Sequence, residues 1–114
     1  MAGRGYAERL TLQDAAAATG NGVHMPVAGL SSVGLQITGT FVATVTFEVS
    51  INGADFVSLS MTPSAGGAAV TTATAPGLFQ ATNVPTPYAV FRARVSAFTS
   101  GTVTAVALGV AVAR

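Results

Sequence analysis

Between Thr44 and Ile51 hydrophobic and polar residues alternate without a fault, with Val45, Phe47, Val49 and Ile51 on one side and Thr44, Thr46, Glu48 and Ser50 on the other. A period of two is the signature of a strand with one buried face. Asn52-Gly53, a pair that tolerates positive φ, follows at once. The alternation then resumes with Val57, Leu59 and Met61 against Phe56, Ser58 and Ser60, so the stretch predicts a β-hairpin.

The same period recurs on both sides. Val33, Leu35 and Ile37 alternate with Gly34, Gln36 and Thr38, and Gly39-Thr40 separates that run from Phe41. Near the end, Phe91, Ala93, Val95 and Ala97 share a face opposite Arg92, Arg94 and Ser96, and Thr99-Ser100-Gly101 reads as the turn of a second hairpin. The last run is apolar on both faces after Thr104: Val106, Leu108, Val110 and Val112 on one, Ala105, Ala107, Gly109, Ala111 and Ala113 on the other. A face of Ala and Gly admits close approach, either by the opposite sheet or by another subunit. Pro26 confines any strand at 23–27 to an edge, because it lacks the amide proton of a central ladder. Between the strong runs lie Pro- and Gly-rich connections and short extended pieces at 70–74 and 78–81. Short strands with frequent turns and no sustained helical period predict an all-β chain, a β-sandwich of jelly-roll-like type. An immunoglobulin-like strand order is the alternative.

Residues 1–22 stand apart. They carry four of the nine charged residues, then Ala15-Ala16-Ala17-Ala18 and Thr19-Gly20-Asn21-Gly22. This reads as an extended N-terminal arm before a sandwich domain at 23–114, with a short strand at Arg9–Gln13 that pairs with the body or with a neighbour. An arm of this kind implies that residues 1–20 can be removed while the sandwich still folds.

Composition narrows the function. The 114 residues form one domain with a single core, and only 8% are charged, against about 25% in ordinary soluble domains. That deficit suits a subunit that hides surface against neighbours. Ala105–Ala113, the longest weakly polar run, is half of what a membrane-spanning helix needs, and no apolar leader follows the N-terminal charges. Disulfides and thiolate chemistry are excluded by the lack of cysteine. All five basic residues are Arg, scattered at 4, 9, 92, 94 and 114, which argues against a phosphate-binding patch and direct nucleic-acid binding.

No residue constellation announces chemistry. His24 is the only histidine, no serine sits in a nucleophile elbow, and the acids Glu8, Asp14, Glu48 and Asp55 have neither metal-loop nor acid/base spacing. The reading is therefore no enzyme, no catalytic or metal residues and no cofactor. Glu48 with Arg92 and Arg94 is read as a structural ion pair across neighbouring strands, of roughly 0.2 to 1 kcal/mol. Asp55 is read as bracing the hairpin turn. The candidate interface comprises Arg4, Tyr6, Arg9, Leu10 and Leu12 of the arm with Ala107, Gly109, Ala111 and Ala113 of the last strand.

Two stretches, Val45-Thr46-Phe47-Glu48-Val49-Ser50-Ile51-Asn52-Gly53-Ala54-Asp55-Phe56-Val57 and Phe91-Arg92-Ala93-Arg94-Val95-Ser96-Ala97-Phe98-Thr99-Ser100-Gly101-Thr102-Val103-Thr104, are joined through Thr72-Ala73-Thr74-Ala75-Pro76-Gly77-Leu78-Phe79. Together they resemble small structural proteins of tailed bacteriophages. The resemblance, over residues 40–108, implies a virion component: a decoration or cement protein of the head, or a neck or tail accessory subunit. It implies a homo-oligomer, a trimer or another closed ring, that binds the major capsid protein or another virion protein after assembly in the host cytoplasm. Related patterns occur in jelly-roll carbohydrate-binding modules, which gives the second reading, an adhesion module. Against it, Phe56 stands where a tryptophan is common there, and no aromatic-rich face is available.

Overall fold

A computed structural model describes residues 6–81 and 88–111. The strands are β1 (Tyr6–Ala16), β2 (Met25–Pro26), β3 (Ser32–Thr38), β4 (Phe41–Ser50), β5 (Val57–Ser58), β6 (Thr62–Pro63), β7 (Thr72–Ala73), β8 (Gly77–Ala81), β9 (Val90–Gly101) and β10 (Val103–Ala111). They form two antiparallel sheets, β1-β10-β3-β8-β6 and β2-β9-β4-β5, with β7 also on β4. The protein is an all-β sandwich.

The core is the inward half of each alternating run. Val33, Leu35 and Ile37 of β3 meet Val45, Phe47 and Val49 of β4 and Phe91, Ala93 and Val95 of β9 in one buried cluster. Phe47 and Phe79 touch across the sandwich, ring centroids 5.1 Å apart and tilted by 51°, a geometry that aromatic quadrupoles favour. Ala105, Ala107 and Gly109 of β10 lie inside, next to Ile37, Leu35 and Val33. A Cβ on Gly109 would press on the Leu30 and Met25 side chains. Small residues there let the two sheets close.

Three expectations change in three dimensions. The segment expected as an arm with a short strand at 9–13 is a full sheet strand of the body, so the pairing expected there holds and the detachable arm does not. β1 pairs with β10 from Tyr6↔Ala111 to Ala16↔Val103, and Leu12, 1% exposed, belongs to the core. Glu8, Arg9 and Asp14 give this segment a polar average that hides its one fully buried leucine, Leu12. The second hairpin is a corner instead: β9 pairs with β4 in one sheet and β10 with β1 and β3 in the other, so Gly101 carries the chain between sheets. Gly39 does the same from β3 to β4. The two corners lie together, with Thr102 N–H donating to the Thr40 carbonyl at 3.0 Å. Side-chain alternation is identical on either side of a hairpin and of a corner, so sequence does not separate them. Finally, the first hairpin pairs only at Glu48↔Ser58 and Val49↔Val57. Ile51 lies beyond β4 and is exposed.

Candidate functional site: the outer faces of the two sheets

On the outer face of the β2-β9-β4-β5 sheet, the register Glu48↔Arg92 and Thr46↔Arg94 sets an acid among two bases. Arg92 Nε donates to Glu48 Oε1 at 2.7 Å, and Arg94 Nε reaches both Glu48 oxygens at 3.3 Å. Glu48 is buried, whereas the Arg94 side chain is 37% exposed. Arg92 is also covered from above: its guanidinium carbon sits 3.7 Å from the Phe56 ring centroid, and Phe56 packs against His24 at 5.1 Å. Arg92 therefore satisfies a charge and supports a ring at once. Thr46 and Ser96 share a hydroxyl hydrogen bond of 2.8 Å beside the trio. Glu48, Arg92 and Arg94 thus form one cross-strand cluster with a surplus of one positive charge.

The turn beyond β4 is built by local polar groups. Asn52 Oδ1 accepts from the Ala54 and Asp55 amides, and Asn52 Nδ2 donates to Asp55 Oδ2 at 2.8 Å. Ser50 Oγ accepts from Gly53 N–H. This Asx arrangement holds Gly53 at φ 79° and presents Ile51 and Val57, 68% and 62% exposed, at one end of the sandwich.

The candidate interface residues divide. Arg4 and Ala113, and the side chain of Tyr6, lie outside the described residues. Leu12, Ala107 and Gly109 are buried between the sheets and do not form an outer surface. Leu10 and Ala111 are partly buried against the core, and Arg9 is exposed on β1. Residue alternation left open whether the Ala/Gly face of β10 met the other sheet or another subunit; it meets the other sheet. Hence the larger side chains, Val106, Leu108 and Val110, are on the outside. Leu108, 45% exposed, and Leu78 of β8, 53% exposed, flank Gly34. The signal for this surface was the both-faces-apolar run at 105–113, of which the Ala/Gly face is the candidate interface in the sequence reading.

A buried amide joins the sheets at their edge. Gln13 Nε2 donates to the Ala93 carbonyl at 2.9 Å and to the Gly20 carbonyl at 3.1 Å. Gly20 in turn exchanges two backbone hydrogen bonds with Val95. Among the described residues, no group of three or more His, Cys, Asp or Glu side chains is placed to hold a metal.

No family model matches the chain, and no curated protein does at a significant level. Solved structures do match. The chain shares its fold with prophage proteins. The SPBc2 prophage-derived protein YomS superposes with a TM-score of 0.84 at 14% identity, over 95% of this chain and 96% of YomS. The PBSX exported protein XepA superposes with a TM-score of 0.86 at 12% identity, over 94% of this chain but only 38% of XepA. At such identities the likeness is one of fold.

Proposed function

We propose that the chain is a non-enzymatic structural subunit of a bacteriophage virion, a capsid decoration or cement protein that forms a closed homo-oligomer and attaches to the particle surface. The observation that carries this reading is the end-to-end likeness to the prophage-derived YomS, with nearly the whole of each chain aligned. Two further features support it. Only 8% of residues are charged, and the outer face of the β1-β10-β3-β8-β6 sheet exposes Leu78 and Leu108. In addition, β1 is an 11-residue strand at the edge of its sheet, and long edges invite pairing with a further strand. Many weak apolar contacts repeated by symmetry hold such a subunit on a particle. A neck or tail accessory role uses the same surfaces.

The test is the solution mass by light scattering, followed by co-sedimentation with phage particles. A discrete oligomer that saturates particles at a fixed ratio is expected. A monomer that ignores particles overturns the proposal. The likeness to XepA, an exported protein by name, favours a second reading, a sandwich module that works outside the cell. Recovery from the culture medium, away from particles, selects that reading.

A further inference from the structure

A groove of about 300 Å³ crosses the outer face of the β1-β10-β3-β8-β6 sheet. Its floor is Gly34, which pairs with Leu108 on one side and Gln80 on the other. With no side chain at that point, Leu108, Leu78 and Val106 stand around a depression. Arg9, opposite Leu108 in the ladder, closes one end. Arg9 makes no ion pair among the described residues, and none of the four acids of the chain lines the groove. The site therefore has apolar walls, carries only neutral polar side chains, Gln36, Gln80 and Ser64, along its length, and is positive at one end.

The remaining polar groups discriminate between occupants. The backbone of β10, β3 and β8 is committed to the ladder, so an incoming peptide finds no free main chain on the floor. Gln36 and Gln80, however, line the groove, and each carboxamide offers the donor and acceptor pair that a peptide bond requires. A simple aliphatic acid would match Arg9 and the apolar walls but leave these amides unused.

We propose that this groove docks an extended peptide segment of a partner protein, with an aliphatic side chain over Gly34 and an acidic side chain paired with Arg9. The proposal goes beyond the virion reading and is tested on the free protein. Leu78 and Leu108 stand on the face that reading also uses, so particles and peptide would compete there, but failure of peptide binding leaves the oligomer and co-sedimentation results untouched.

Amide chemical shifts of the labelled protein are followed while N-acetyl-Ala-Leu-Asp-Leu-amide is added, then its Asn counterpart, then octanoate. Saturable shifts confined to β1, β10, β3 and β8 are expected with the acidic peptide, and binding roughly tenfold weaker with the Asn peptide, the loss of one charge-assisted hydrogen bond. Arg9→Gln should reproduce that loss and erase the difference between the two peptides. Gly34→Val should abolish binding with the sandwich intact, because a Cβ at Gly34 meets only ordinary contacts, 3.8 Å to the Phe79 carbonyl oxygen and 4.0 Å to that of Leu108. Absence of saturable shifts, equal binding of the two peptides, or octanoate binding as tightly as the acidic peptide would each overturn the proposal. Arg9 is exposed, so its variant remains informative even if Gly34→Val unfolds.

Discussion

At the scale of single residues, environments are unequal even within one cluster. Glu48 is the shared partner of two arginines and is buried, so removing it strands Arg92, whose side chain is 13% exposed, beside Arg94. Glu48→Ala should lower stability by about 2 to 3 kcal/mol. Arg94→Gln should cost under about 1 kcal/mol, because Arg94 is partly solvated and Glu48 keeps Arg92. Urea unfolding of both variants checks the asymmetry, and equal losses would contradict it. The glycines separate likewise. Gly101, at φ 89°, has the Thr40 carbonyl where a Cβ would go, whereas Gly53, at φ 79°, has nothing within 4 Å. Gly53→Ala should cost only the left-handed backbone penalty, about 1 to 2 kcal/mol. Gly101→Ala adds a clash with main chain and should exceed it, with thermal melts giving the order. Glu48, Arg92 and Arg94 were legible in sequence because alternation fixes the face and two strong strands supply both partners. For Phe56 only the face was legible, shared with Ser58 and Ser60; its seat over Arg92 was not, because the residue lies before the short β5 and its contact follows from no period.

At the scale of elements, β1 decides how the chain tolerates truncation. It covers one edge of β10, places Leu12 in the core and brings Gln13 to the Ala93 and Gly20 carbonyls. Deletion of residues 1–20 therefore removes a strand, a core side chain and a buried amide together. The product is expected to lose its cooperative thermal transition; a folded product with an unchanged midpoint would mean that β1 adds little. Leu12→Ala alone should cost about 2 to 5 kcal/mol, the usual range for emptying a core leucine site. This contrasts with the detachable arm that the charge pattern suggested. Glu8, Arg9 and Asp14 meet water while Leu12 and Gln13 are buried, and with the register shifting at Gln13 no clean period of two marks the strand in sequence.

For the molecule as a whole, charge is sparse, 8% of residues, and the exposed large apolar residues are spread over the surface: Leu78 and Leu108 on the outer face of one sheet, Ile51 and Val57 at one end, Val42 on β4 and Val23 ahead of β2. If assembly uses such contacts, it should persist in salt, since screening weakens charge pairs and not apolar burial. The oligomer mass measured by light scattering should stay unchanged between 0.05 and about 1 M sodium chloride, a range over which the Debye length falls severalfold. Dissociation at high salt would assign the contact to charges instead. The fold shared with YomS and with part of XepA at 14% and 12% identity shows that few particular residues are needed to specify it, and a fold alone does not choose partners.

The sequence by itself determined that the chain is all-β, where most long strands run, which residues of β3, β4 and β9 face inward, and that Glu48 belongs with Arg92 and Arg94. All of these follow from a period of two and from local turn chemistry. Which turns are hairpins and which are corners, that the strand read at 9–13 extends over 6–16 and pairs within the body, and which face of β10 is buried were not legible in the sequence. Those depend on which strand lies beside which, a non-local choice set by packing the two sheets together. The groove over Gly34 belongs to the second group, since it exists only where Arg9, Leu108, Gly34 and Gln80 are brought into one row across four strands.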